Sequence, residues 1–285
     1  MSRIAYVNGR YVPHRDAAVH IEDRGYQFSD GVYEVCEVRD GRLVDERRHM
    51  ERLARSLGEL RIPNPMTPKA LSAVLHETVA RNRVTNGIVY LQVTRGVARR
   101  DHAFPPEGTL PAVVVTARTI ERWKGEREAV NGVTVVSYPE NRWSRPDIKS
   151  VSLLGNVLAK QFAKEKGARE AWYVDRDGFV TEGSSSNAWI VTADNKVMTH
   201  GASNGILRGI TRTVILDVMK AHNVTLDERP FTLEQAFAAK EAFVTAASQI
   251  VLPVISIDGR PVGDGKPGPI ATALRRDFHN HAEFT

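Results

Sequence analysis

Two short polar segments carry a lysine and a glutamate whose side chains could act on one organic cofactor. Lys149 lies in Asp147-Ile148-Lys149-Ser150, ahead of an apolar stretch, and Glu182 lies in a loop of glycine and serines at positions 181 to 187. The lysine amine can form a Schiff base, and the carboxylate can keep a ring nitrogen protonated. Pyridoxal 5′-phosphate requires both groups from its enzyme, so the pair predicts chemistry at a carbon–nitrogen bond.

Each half of this pair also has a simpler explanation. Most lysines face solvent, and a glycine-serine turn often exposes its acidic residue. In the functional interpretation, serine hydroxyls and backbone N–H groups hold the Glu182 carboxylate beneath the ring nitrogen. The residue types alone leave both interpretations open.

Two further segments could bind anions. Residues 207 to 212 open a predicted helix, whose free N–H groups and threonine hydroxyl suit a phosphate, although an ordinary capped helix would look the same. In the basic loop at 95 to 102, Arg100 and His102 could converge on a carboxylate, the alternative being a solvated loop. No nucleotide-binding P-loop and no metal-binding histidine motif occurs, so we expect no metal.

Composition narrows the class of protein. The 285 residues are 42% hydrophobic, which is enough for a substantial core, and no signal peptide or run of 18 apolar residues is recognisable. We therefore expect a cytoplasmic protein without a membrane partner. The single cysteine, Cys36, predicts a buried thiol, and the net charge of +5 is too dispersed for nucleic acid.

Several elements follow from periodicity and turn residues. Asn8-Gly9 and Asp40-Gly41 predict hairpin turns in an N-terminal antiparallel sheet, and apolar stripes predict helices at 46 to 60 and 68 to 82. The later strands are short and joined mostly by turns, which favours an α+β fold over a doubly wound α/β fold. The stretch from 121 to 131 is polar and weakly patterned. We therefore predict a small N-terminal domain at 1–120, an interdomain linker at 121–131, and a larger C-terminal domain at 132–285 that carries Lys149.

Six motifs together resemble the fold-type IV pyridoxal-phosphate enzymes, the branched-chain aminotransferase-like family, and the match runs in order from about residue 4 to residue 275. They are Asp23-Arg24-Gly25-Tyr26-Gln27-Phe28, Asp30-Gly31-Val32-Tyr33-Glu34-Val35, Gln92-Val93-Thr94-Arg95-Gly96, Asp147-Ile148-Lys149-Ser150, Thr181-Glu182-Gly183-Ser184-Ser185-Ser186-Asn187 and Gly209-Ile210-Thr211-Arg212. The resemblance implies a two-domain α+β fold with a small N-terminal α/β sandwich and a larger C-terminal pseudo-barrel. It also implies a homodimer.

The resemblance assigns cofactor roles. Lys149 would bear pyridoxal 5′-phosphate and shuttle a proton between the substrate α-carbon and the cofactor, while Glu182 would pair with the pyridine nitrogen. The remaining expected cofactor contacts are Arg52 and the N–H groups of Ile210 and Thr211 at the phosphate, Leu207 against the ring, and Arg142 on the O3′ side.

One segment departs from the family pattern. After Phe243-Val244-Thr245, where the family commonly has hydroxyl residues, this chain has Ala246, Ala247 and Ser248. Backbone N–H groups at the two alanines would then replace side-chain hydroxyls at the phosphate. We therefore expect weaker cofactor affinity than is typical of the family.

The substrate carboxylate would be held by Tyr33, Arg100 and His102. Tyr33 and Val35 alternate onto one strand face and can look into the same pocket. The Arg100-x-His102 pair, and Val35 where branched-chain aminotransferases usually carry glycine, favour the branch that moves the amino group of a D-amino acid, such as D-alanine or D-glutamate, to a 2-oxo acid such as 2-oxoglutarate or pyruvate. The alternatives are a branched-chain or (R)-amine transaminase, an aminodeoxychorismate lyase-like enzyme, and a cofactor-binding regulator without catalysis.

Overall fold

The computed structural model describes residues 3–285, which form two compact units. The first unit comprises the chain up to Arg122 together with Ile148–Ser152 and Glu283–Thr285. The second comprises Trp123–Asp147 and Leu153–Ala282. The chain thus enters the first unit for five residues around Lys149, a segment that the sequence analysis assigned to the C-terminal domain.

The first unit contains a six-stranded antiparallel sheet and three α-helices. Its elements are β1 (Ile4–Val7), β2 (Arg10–Pro13), α1 (Arg24–Phe28), β3 (Gly31–Arg39), β4 (Arg42–Leu43), α2 (Glu46–Glu59), α3 (Pro68–Arg81), β5 (Asn86–Thr94) and β6 (Ala112–Thr119). The strand order is β2-β1-β6-β5-β3-β4.

The two faces of β3 have different surroundings. Val32, Cys36 and Val38 are buried in the core that also contains Leu53 of α2. The intervening side chains, Tyr33 and Val35 among them, are only half-buried because alternate residues of a strand point to opposite faces. The strand therefore presents one face to the core and another face that remains accessible.

The segment around Lys149 extends this sheet. The Tyr33 N–H donates to the Lys149 carbonyl oxygen at 3.0 Å, and the Val151 N–H donates to the Gly31 carbonyl oxygen at 3.0 Å. Strand β4 pairs only with the far end of β3, at Val38 and Arg39, so the near end of that edge accepts the lysine segment. These backbone bonds fix Lys149 beside Tyr33.

The second unit contains a ten-stranded mixed sheet and five helices. Its elements are α4 (Arg122–Asn131), β7 (Val133–Pro139), α5 (Leu154–Glu165), β8 (Glu170–Val174), β9 (Phe179–Gly183), β10 (Asn187–Val191), β11 (Val197–Thr199), α6 (Ile210–Ala221), β12 (Leu226–Asp227), β13 (Phe231–Thr232), α7 (Leu233–Phe237), β14 (Glu241–Ala246), β15 (Ile250–Ile257), β16 (Arg260–Pro261) and α8 (Pro269–His281). The main order is β12-β11-β10-β14-β15-β7-β8-β9-β13, and β16 pairs with β15.

The second sheet curls back on itself. Strands β9 and β10 are separated by four strands in the sheet order, yet a tight turn joins them, with the Gly183 N–H donating to the Ser186 carbonyl oxygen at 2.7 Å. A flat sheet could not bring these two strand ends together. The curvature gives the pseudo-barrel that the sequence predicts, and the α+β fold class is confirmed.

The polar stretch at 121–131, which the sequence analysis gives as the interdomain linker, contains helix α4, most of which belongs to the second unit. Its buried side chain is Ala129, so an apolar stripe does not specify the helix. Two ion pairs connect it to other parts of the chain: Arg169 contacts Glu128 at 3.0 Å, and Arg275 contacts Glu126 at 3.1 Å. Both arginines are distant in sequence, so the local pattern could not indicate the helix.

No helix among residues 3–285 is both long enough and apolar enough to cross a membrane.

Candidate active site

In the first unit, the Lys149 amine faces an aromatic surface. Its Nζ lies 4.2 Å from the centroid of the Tyr33 ring, and Tyr33 stacks on Tyr90 with 5.7 Å between centroids. The Tyr90 hydroxyl donates to Gln92 Oε1 at 2.7 Å. Burial, and then the neighbouring Tyr33, raise the pKa of Tyr90 to about 12, so this phenol keeps its proton. Within residues 3–285, no carboxylate lies within ion-pair distance of the Lys149 amine.

The neighbourhood of Lys149 is completed by two side chains from the same unit. The Lys149 backbone N–H donates to Ser56 Oγ of helix α2 at 3.4 Å. Val35 shares the half-buried strand face of Tyr33 and pairs in register with Tyr90. The structure therefore places Lys149 against Tyr33 and puts Val35 on the same strand face as Tyr33.

Arg52, the predicted phosphate ligand, is engaged by a buried carboxylate. Its Nε and Nη2 donate to the two oxygens of Glu34, both at 2.7 Å. His49 Nδ1 lies 2.8 Å from the same carboxylate. Burial lowers the pKa of His49, so the neutral ring donates its Nδ1–H to Glu34. Arg52 is thereby fixed in orientation, and its charge is balanced by Glu34.

Burial alone would raise the pKa of the Glu34 carboxyl, but the charge and hydrogen bonds of Arg52, with help from His49, lower it to about 2. The carboxylate is therefore ionised at neutral pH inside the protein. The sequence analysis quoted Glu34 only as part of a motif, because nothing local shows that α2 places an arginine and a histidine against it.

In the second unit, Glu182 is buried at β9 and accepts three hydrogen bonds. The donors are Arg142 Nη1 at 2.5 Å, Asn187 Nδ2 at 3.0 Å and the Leu207 N–H at 3.1 Å. Burial raises the pKa of Glu182, while Arg142 and the Leu207 N–H oppose that shift. Leu207, which the sequence places against a cofactor ring, is thus bound to the carboxylate through its backbone.

The serine hydroxyls do not hold Glu182, contrary to the sequence-based expectation. Ser184, Ser185 and Ser186 all donate to Glu170, a buried residue at the start of β8, with the Ser185 contact at 2.7 Å and the Ser186 contact at 3.1 Å. The reason is geometric, since β8 lies next to β9 and presents Glu170 to the turn that follows Glu182. These serines shape the loop.

Arg142 is held by a second carboxylate besides Glu182. Its Nη2 donates to Glu140 at 2.6 Å, and its guanidinium lies 4.3 Å from the centroid of the Tyr173 ring. The Thr181 hydroxyl also donates to Glu140, at 2.9 Å. With both carboxyl groups ionised, this largely buried cluster has one negative charge in excess.

Asn187 connects Glu182 with the start of helix α6. Its Nδ2 donates both to Glu182 and to the Leu207 carbonyl oxygen, the latter at 2.9 Å. A Cβ on Gly209, the residue before α6, would lie 2.2 Å from Asn187 Oδ1, so a larger residue there would displace the Asn187 side chain. Ile210 and Thr211 open the helix, and their N–H groups are in the first turn, where no intrahelical partner exists.

Ala247 follows β14, whose end lies beside β10 because Thr245 pairs in register with Asn187. Thus Glu182, Arg142 and Leu207 form one bonded group, linked through Asn187 to the α6 start and to the end of β14.

Arg100 and His102 lie together in the first unit, on the ring of Phe28. The Arg100 guanidinium is 4.6 Å from the Phe28 centroid, and the His102 ring is 5.4 Å from it. Both residues are exposed, as expected of groups that meet a ligand. Among residues 3–285 there is no group of three or more potential metal ligands.

Comparisons with known proteins identify the family. Residues 31–257 match the amino-transferase class IV family. A D-alanine aminotransferase of Staphylococcus haemolyticus is 40% identical over 278 residues, 98% of this chain and 97% of that protein. A D-alanine aminotransferase of Listeria innocua is 42% identical over 273 residues, 95% of this chain and 93% of that protein.

Solved structures agree on the fold. The branched-chain amino acid aminotransferase of Escherichia coli is 23% identical and superposes with a TM-score of 0.90. The branched-chain aminotransferase of Thermoproteus uzoniensis is 26% identical and superposes with a TM-score of 0.85. Each superposition covers 98% of this chain and 94% of the other chain. The chain belongs to the class IV aminotransferases. It is a fold-type IV, pyridoxal 5′-phosphate-dependent aminotransferase, as the six motifs predict.

The buried Glu34 carboxylate generates a prediction about acid stability. Because its pKa is lowered to about 2 in the folded protein from an ordinary 4.5, its stabilising contribution is complete above pH 4.5 and is lost as the pH falls towards 2. We expect wild type to lose roughly 2 kcal/mol of unfolding free energy between pH 6 and pH 3 through this group. Glu34→Gln should lack that loss, although it is less stable at pH 7 because Arg52 loses its buried partner.

Urea unfolding at both pH values measures the effect. The matched control is Glu51→Gln on helix α2, since Glu51 is 62% exposed in its pair with Arg47 and should keep the wild-type pH dependence. If the unfolding free energy of wild type and of Glu34→Gln changed equally between pH 6 and pH 3, the lowered pKa of Glu34 would be contradicted.

Proposed function

We propose that this aminotransferase moves the amino group of a D-amino acid, such as D-alanine or D-glutamate, to a 2-oxo acid such as pyruvate or 2-oxoglutarate. The near full-length identity of 40–42% to D-alanine aminotransferases supports this choice of substrate. The similarity to branched-chain aminotransferases is 23–26% and supports the fold. Val35 and the Arg100-x-His102 pair favour the D-amino acid branch over the branched-chain one.

The observation that carries the chemistry is the charge of the cluster around Glu182. Glu140 and Glu182 share the single cation Arg142, so with both carboxyl groups ionised this largely buried cluster has one negative charge in excess. A protonated ring nitrogen would neutralise it, which is the partner that pyridoxal 5′-phosphate offers. The residues therefore fit the cofactor, which when bound withdraws electrons from the substrate α-carbon.

We assign the residue roles accordingly. Lys149 would bind the cofactor covalently and move the proton between the substrate α-carbon and the cofactor C4′, and its amine is available for this role because no carboxylate of residues 3–285 lies within ion-pair distance of it. Glu182 keeps the ring nitrogen protonated, and Leu207 and Arg142 support the ring and its O3′ side. The N–H groups of Ile210, Thr211 and Ala247 bind the phosphate with Arg52. Tyr33, Arg100 and His102 bind the substrate carboxylate.

The role of Arg52 has a physical limit. Because Glu34 balances its charge, Arg52 contributes an oriented hydrogen bond more than a net electrostatic attraction. The N-terminus of helix α6 then adds the attraction of its free N–H groups and dipole for the phosphate.

Replacement of the lysine tests the assignment of the catalytic group. Lys149→Ala should lose the visible absorbance band of the lysine-bound cofactor, which borohydride removes in wild type, and its turnover should fall by about 10⁴-fold or more. Lys160→Ala is the control, since Lys160 contacts Glu170 and the Arg169 carbonyl oxygen, and it should keep the band. Sustained turnover in Lys149→Ala would refute the role.

A panel of donors tests the substrate class. Wild-type enzyme is mixed separately with D-alanine, L-leucine, (R)-1-phenylethylamine and aminodeoxychorismate, and the loss of the cofactor band is followed in the absence of an acceptor. We expect D-alanine to react at least tenfold faster than the others. A preference for L-leucine or for the amine would assign the enzyme to the corresponding alternative, and a stable band with every donor would indicate a binding protein.

A homodimer and a cytoplasmic location remain part of this proposal. Helix α5 exposes Leu154, Val157 and Leu158 by 73%, 58% and 50%, an apolar stripe at helical spacing that a second copy could cover. Light scattering should give a dimer mass for wild type and a smaller mass for Leu154→Glu. Val130→Glu, which alters a residue of α4 that is 75% exposed, is the control and should stay dimeric. A monomeric wild type would exclude the homodimer.

A further inference from the structure

The motif at residues 23 to 28 has no part in the assigned roles, yet it is tightly built. It forms helix α1, with Asp23 Oδ1 accepting from the Gly25 N–H at 2.8 Å. Asp23 Oδ2 accepts from the Thr94 hydroxyl at 2.9 Å. The second bond joins the helix to the end of β5, from which the loop carrying Arg100 and His102 departs.

Arg24 binds the distal part of that loop. It is buried, and its Nη1 donates to the Asp101 carbonyl oxygen at 2.6 Å. Its Nε donates to Asp30 at 2.8 Å, and Asp30 also accepts from Arg95 Nε at 2.7 Å. The Arg24 N–H donates to the Gly96 carbonyl oxygen at 2.9 Å. The start of the loop, at Gly96, and its middle, at Asp101, are therefore bound to one short helix.

The last residue of α1 contacts the functional side chains themselves. The Phe28 ring has the Arg24 guanidinium at 4.8 Å, the Arg100 guanidinium at 4.6 Å and the His102 ring at 5.4 Å from its centroid. Cations are attracted to the face of an aromatic ring. An exposed arginine that rests on such a ring loses less side-chain freedom when it binds an anion than one that moves freely in water.

We propose that Phe28 and Arg24 are positioning residues that hold Arg100 and His102 ready for the substrate carboxylate. The inference rests on the proposed function, which gives Arg100 and His102 that ligand. Phe28 orders the two side chains, and Arg24 fixes the backbone between them. This ordering of Arg100 and His102 concerns substrate binding and not proton transfer. Its loss should therefore weaken substrate affinity and leave the rate at saturation nearly unchanged.

The experiment uses the holoenzyme and the half-reaction with D-alanine, followed by loss of the cofactor band. Phe28→Leu should raise the half-saturating D-alanine concentration by about tenfold, with the saturating rate within about twofold of wild type. Phe28→Tyr, which keeps the ring, should behave like wild type. Phe28→Met is a second variant without the ring, in case leucine disturbs folding.

Phe104→Leu is the matched control. The Phe104 ring also lies under arginines, with Arg95 at 3.7 Å and Arg61 at 4.6 Å from its centroid. These arginines differ from the Arg100 and His102 that contact Phe28. It should leave the half-saturating concentration unchanged. Propionate, a carboxylate without an amino group, should inhibit competitively, and its inhibition constant should rise with Phe28→Leu by the same factor as for D-alanine.

The outcomes separate this inference from the function on which it rests. The positioning role is supported if the half-saturating D-alanine concentration rises with Phe28→Leu and Phe28→Met but keeps its wild-type value with Phe28→Tyr. Equal values for Phe28→Leu and Phe104→Leu, or a fall in the saturating rate alone, overturns it. If Arg100→Gln leaves the half-saturating D-alanine concentration unchanged, Arg100 does not bind the substrate carboxylate, and the positioning role fails with that assignment. If the wild-type enzyme reacts with no D-amino acid, the proposed function itself fails.

Discussion

The short pairing between the Lys149 segment and the edge of β3 is the constraint on which the lysine cluster depends. Two backbone hydrogen bonds attach five residues to the first unit, while the chain on both sides belongs to the second. The amine is consequently fixed over Tyr33, a residue of β3 itself. A lysine on a free loop would lose far more conformational freedom on forming a covalent bond with a cofactor.

Charge balance organises the buried polar side chains within each unit. In the first unit, Glu34 and Arg52 neutralise each other, and burial keeps His49 neutral, so these groups add no net charge beside Lys149. In the second unit, two carboxylates share Arg142, and with both ionised they leave one negative charge in excess. Unbalanced charge in a protein interior is costly, and it persists where a ligand of opposite charge is to be bound.

Much of the fold could be predicted from sequence because periodicity and turn residues act locally. The helices α2 and α3 begin at the predicted residues. Helix α4 could not be predicted, since its partners Arg169 and Arg275 come from distant parts of the chain. The same applies to the serines after Glu182, whose hydroxyls bind Glu170 on a neighbouring strand.

The sequence by itself determined the family, because six ordered motifs preserve a lysine, a glutamate and a helix start whose residue types define one cofactor chemistry. It could not determine which side chains hold those groups. Only the tertiary structure decided that Arg142 and Asn187 bind Glu182, that Glu34 orients Arg52, and that Phe28 carries Arg100 and His102. The physical reason is that hydrogen bonds and ring contacts of this kind join residues across strands and helices, where spacing along the chain carries no information about distance.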